Sequence, residues 1–161
     1  MLVLIRRFLV IAALMFWSGG FVFYAAVVVP IGTDVLRTAL DQGFITRQVA
    51  KRINWAGIGA LAIFAWDAFT YDVRWRRGLR LAMILIALVC LGMLFWLHPR
   101  MAALMPSDFG GVLDDPFRFD RMHQAYLWII TVQWAASVAF MGLSLMAWRE
   151  EDRANALTAN S

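Results

Sequence analysis

Residues 115–149 read DPFRFDRMHQAYLWIITVQWAASVAFMGLSLMAWR, and this stretch decides the fold. Asp115 followed by Pro116 has the form of a helix start. An aspartate side chain accepts from the orphan N–H groups of the first turn, and proline suits a first position whose N–H has no partner. Beyond Ala125 the chain is apolar enough to cross a membrane. Through it run His123, Tyr126, Gln133, Ser137 and Ser144, at intervals of three, seven, four and seven, which return to nearly one helix face. Lipid offers such groups no partner, so the spacing predicts that this face looks inward at other helices. From Pro116 to Arg149 the helix reaches about 50 Å at 1.5 Å per residue, longer than a ~30 Å hydrocarbon core, so it must tilt or project. The tail at 150–161, EEDRANALTANS, is polar and expected to fray.

Working outward, three more apolar blocks precede this one. The expected spans are 8–29, 53–71, 79–97 and 124–147. The 161 residues are 62% hydrophobic and 16% charged, against roughly 45–50% and about 25% in a soluble domain. The reading is a single integral membrane domain, all-α, a four-helix transmembrane bundle. The net charge of +4 lies at the helix ends, where the lipid bilayer accounts for it and no nucleic acid is required. Cys90, the one cysteine, sits inside an apolar block and is read as a small hydrophobe.

The first block follows Arg6 and Arg7 but is about twice the length of a signal-peptide core, so it is read as a retained helix. Ala12, Gly19 and Ala26 recur every seven residues and would let another helix backbone approach closely; with Gln133 and Ser137 they are the candidate packing residues. Pro30 and Gly32 are expected to close this helix. Thr33 or Asp34 would then cap a short amphipathic surface helix in the first outer loop, with Gly43 as its stop. In the second block Asp67 stands out as an acid about one turn from the end of an apolar run. It reads either as a proton or ion site, or as a carboxylate near the headgroups paired with an arginine such as Arg74; its shallow depth favours the pair. Pro99 is expected to stop the third helix.

Four spans place both termini on one side. Basic residues divide eight to seven between the sides and do not decide orientation by count. The two arginines leading into the first helix and the compact group Arg74, Arg76, Arg77 and Arg80 do. The expectation is a bacterial inner-membrane protein, multi-pass, with both termini cytoplasmic and the two longer loops periplasmic.

His98 and His123 then fall on the outer side, near Met101, Met105 and Met122. Imidazole with thioether suits Cu(I), and two histidines from different helices suit haem iron. The residues themselves favour a plainer reading, with methionine filling gaps and the histidines acting as interfacial hydrogen-bonding groups. No GxSxG, Walker A, GxGxxG or HExxH pattern occurs, so hydrolytic and nucleotide chemistry have no carrier here.

The paired glycines leading into FYAAVVVP, the loop HPRMAALMP and the entry FRFDRMHQAY together resemble small four-helix bacterial membrane proteins. These belong to the copper-resistance protein D-like superfamily, which includes an uncharacterised transmembrane-205-like branch and HemJ-type protoporphyrinogen oxidases. The resemblance implies His123 as a functional position, with copper or haem as candidate cofactor. Residues 8–29 lack the first-helix histidine expected of the HemJ type. The leading expectation is a non-enzymatic protein that associates with partner membrane proteins or with itself. Copper or haem handling by His98 and His123 comes second, and proton- or ion-coupled transport through Asp67 third.

Overall fold

A computed structural model of the chain describes residues 1–36, 39–70, 74–106 and 111–159. Within them the chain is all-helical. Helix α1 is Leu2–Leu36, α2 is Ala39–Phe69, α3 is Arg74–Ala102 and α4 is Pro116–Ala159. Among the described residues, α1, α3 and α4 contain stretches long and apolar enough to cross a membrane. Helix α2 is long enough, but its charged first half, its glycines, Asn54 and Asp67 lower its hydropathy; Asn54 and Asp67 are buried.

Consecutive helices pack on one another, most extensively α3 on α4, and α1 also contacts α4. The core is aromatic where α1, α2 and α4 meet. Phe64 stacks on Phe140 with centroids 4.6 Å apart, and Trp17 lies 6.3 Å from Phe64. Trp17 belongs to a π turn at Met15–Gly19, which brings it and its neighbour Ser18 into the interior together. It packs so closely on α2 that a Cβ placed on Gly57 would meet its ring at 2.9 Å. Gly57 is what lets the two helices approach here.

Several local expectations are revised. Helix α1 continues through Pro30 and Gly32 to Leu36. A second π turn at Tyr24–Val28 loosens the ladder just before the proline, where an N–H is missing. The Thr33 hydroxyl also donates to the Val29 carbonyl at 3.0 Å. Since α2 begins at Ala39 and runs through Gly43, no separate surface helix forms among the described residues; Arg37 and Thr38 lie outside them. Pro99 lies inside α3, which extends to Ala102, and the Arg100 guanidinium donates to the Trp96 carbonyl at 2.7 Å. The tail is helical to Ala159 because its first turn is pinned by arginines, as described below. The start of α4 is as read: Pro116 is its first residue, and the Asp115 carboxylate accepts from the Arg118 N–H at 2.9 Å.

Candidate functional site

The most elaborate polar construction lies where the amino end of α1, the carboxyl end of α2, the start of α3 and the end of the apolar part of α4 converge. At its centre is Asp67, only 1% exposed. Arg80 of α3, itself fully buried, donates from Nη2 to Asp67 Oδ2. Arg6 of α1 approaches the other oxygen, Nε to Oδ1 at 2.9 Å. Trp148 of α4 donates its indole N–H to the same oxygen at 3.2 Å. One carboxylate therefore binds side chains from three other helices. Arg80 also lies 5.2 Å from the centroid of Phe140, so the core aromatic pair borders the charge.

A second layer closes over this centre. Arg6 reaches Glu151 at 2.7 Å, and Arg7 reaches Glu151 at 3.0 Å and Asp152 at 2.8 Å. Arg7 further donates to the Trp148 carbonyl at 3.2 Å and lies 5.6 Å from the Trp148 ring centroid. Arg76 pairs with Glu150 at 2.7 Å. In the inner network, Arg6, Arg7 and Arg80 face Asp67, Glu151 and Asp152, so positive and negative charge balance. Such a cluster resists dissociation because removing one member leaves its partners buried and unpaired. Sequence reading had singled out Asp67 but named Arg74 as partner, whose side chain lies outside the described residues. It missed Arg6, Arg80, Trp148, Glu151 and Asp152. The available signal was position: all five lie at the ends of apolar blocks, on the side of the molecule that carries both termini.

Comparisons with protein families, with curated proteins and with solved structures gave no match.

At the opposite end the histidines meet different neighbours. His98 Nε2 lies 2.9 Å from the Arg47 carbonyl oxygen. A carbonyl only accepts, so this nitrogen carries a hydrogen. His123 stacks on Phe119 within its own helix, 6.0 Å between centroids. Met105 packs against Gly43 of α2, 3.1 Å from where a Cβ would stand. Met101 and Met122 are half-buried. Among the described residues, no three His, Cys, Asp or Glu side chains converge. Beside His98 the joint between α1 and α2 is polar: Gln42 donates to the Tyr24 hydroxyl at 3.3 Å, and Tyr24 donates to Thr46 at 3.1 Å.

The membrane part of the α4 stripe faces inward, while His123 and Tyr126 nearer its start are half-buried. Gln133, Ser137 and Ser144 are buried, but they do different jobs. Gln133 donates across to the Ala87 carbonyl of α3 at 3.2 Å. Ser137 and Ser144 instead donate to carbonyls of their own helix, Gln133 at 2.9 Å and Phe140 at 2.8 Å. Their contribution to packing is small size, not a cross-helix bond. The gap between Ser18, Gln133 and Ser137 is about 10 Å³, room for one water and too little for a substrate. Of the other packing candidates, Ala12 is half-buried, Ala26 is exposed, and a Cβ on Gly19 would meet nothing within 4 Å.

Proposed function

We propose that the chain is a four-helix bundle of the bacterial inner membrane that works by associating with other membrane-embedded helices, and not as an enzyme. The observation that carries this reading is the state of α1. Its most apolar window is 17% buried, against 33% in α3 and α4. Its small residues Gly19, Gly20 and Ala26 face open space and not the chain's own helices. Small residues on a membrane helix allow close backbone approach, the main source of helix affinity where lipid removes the hydrophobic drive. The interior polar groups, by contrast, are turned toward one another.

That α2 is the fourth span is supported by the charged end. Arg6 and Arg7 contact Glu151 and Asp152, so the two termini share one end of the molecule. With α1, α3 and α4 crossing and α2 not, they would emerge on opposite sides. The arginines gathered at this end support a cytoplasmic side for it.

A photo-crosslinker at position 19, with position 85 of α3 as control, tests the association in native membranes. The expected product is a discrete adduct from position 19, at twice the monomer mass or at the mass of one added membrane protein. Adducts equally abundant from Leu85, or none from position 19, would sink the reading.

A further inference from the structure

Beside the buried charges, on the outer surface of the same end, α4 and the start of α1 enclose an open groove of about 480 Å³. Its lining is Arg7, Arg149 and Arg153 with Asp152, over Leu145, Trp148 and Ala156. The charges in it are not equivalent. Asp152 is gripped by Arg7 through both oxygens, at 2.8 and 2.9 Å, so these two largely neutralise one another. Arg149 and Arg153 form no ion pair with any carboxylate among the described residues, and both are exposed. Standing four residues apart on a helix, they project from the same face. The groove thus has two guanidinium groups available side by side.

The same face of α4 continues in the other direction as Leu145 and Val138, both about half exposed. Read along the helix, it passes from an apolar, lipid-facing surface to a pair of arginines where the apolar stretch ends. An anionic phospholipid has that profile, with acyl chain, glycerol and phosphate in the same order. Guanidinium groups match phosphate oxygens by paired N–H donation, and the negatively charged cytoplasmic leaflet supplies such headgroups next to membrane helices. A free phosphate offers the same anion but would make no use of Leu145 and Val138.

We infer that this groove binds the phosphate of an anionic phospholipid, with Arg149 and Arg153 as the principal ligands and Leu145 along its acyl chain. The inference uses the membrane placement but not the association through α1, so crosslinking from position 19 is unaffected by its failure.

The test is native mass spectrometry of the full-length protein in detergent, titrated with a mixture of phosphatidylglycerol and phosphatidylcholine. The wild type should retain phosphatidylglycerol in preference, and R149Q/R153Q should lose that preference roughly tenfold, from two contacts each worth several-fold. A control, R118Q/R121Q, changes net charge equally at the other end of α4 and should retain it. Millimolar inorganic phosphate should not displace the lipid. Equal retention by R149Q/R153Q, equal loss in R118Q/R121Q, or displacement by inorganic phosphate would each overturn the inference, the last in favour of a soluble phosphate.

Discussion

Asp67 is the residue on which the charged end depends, and the reason is its position between two arginines. The Asp67 carboxylate is enclosed with Arg6 on one oxygen and Arg80 on the other. The carboxylate is thus a point at which three helices are tied together through two guanidinium groups, and removing its charge weakens both contacts at once. Asp67→Asn keeps shape and hydrogen-bonding capacity while removing that charge. It should destabilise the protein by about 3–5 kcal/mol, the range for breaking a buried pair. Glu150→Gln removes the anion from Arg76, a partly exposed pair, and should cost no more than about 1 kcal/mol. Thermal unfolding of the two variants in the same detergent makes the comparison. An Asp67→Asn protein as stable as Glu150→Gln would mean that the network is not what holds this end together.

At the scale of the helices, what the sequence discloses depends on whether the deciding interaction is local. The start of α4 was legible because cap and first turn are adjacent: Asp115 binds the N–H three residues on, whatever the rest of the chain does. Pro30, Gly43 and Pro99 misled for the opposite reason. Each is a local breaker, and each sits in a helix that neighbours or a π turn keep going. The inward stripe was legible from period alone, whereas the choice of Ala87 as partner for Gln133 was not, since it depends on how α3 and α4 slide past one another. Similarly, Asp67 announced that a buried acid needed compensation, but its partners come from three other helices. The α1–α2 contact was invisible because it requires a π turn to aim Trp17 at Gly57. Gly57→Val should force that ring aside and lower stability by about 1–3 kcal/mol, the usual cost of overpacking. Gly59→Val, where a Cβ meets nothing within 4 Å, should leave the melting temperature close to wild type. Equal melting temperatures for the two variants would show that the indole yields freely and that the contact does not fix the helices.

For the whole molecule the question is how many times the chain crosses the bilayer, and the ion pairs make it answerable. Arg6 with Glu151 and Arg7 with Asp152 bring the beginning of α1 and the end of α4 together. At the other end, the Leu104 carbonyl accepts from the Asp114 N–H, folding the link between α3 and α4 back on itself, and His98 meets the α2 backbone. Both sets of contacts fit an even number of crossings, the arrangement proposed above, in which α2 spans despite its lower hydropathy. Its polar residues Asn54 and Asp67 are turned to other helices, which removes the objection that lipid would face them. Single cysteines introduced into a Cys90→Ser background test this directly. Leu2→Cys and Ala156→Cys should react with a membrane-impermeant maleimide only after the inner membrane is opened, and Val112→Cys in intact spheroplasts. Positions 2 and 156 labelling from opposite sides would exclude α2 as a span. Labelling of both from outside, with position 112 protected, would keep four crossings but reverse the orientation, and would move the lipid-binding groove to the outer leaflet.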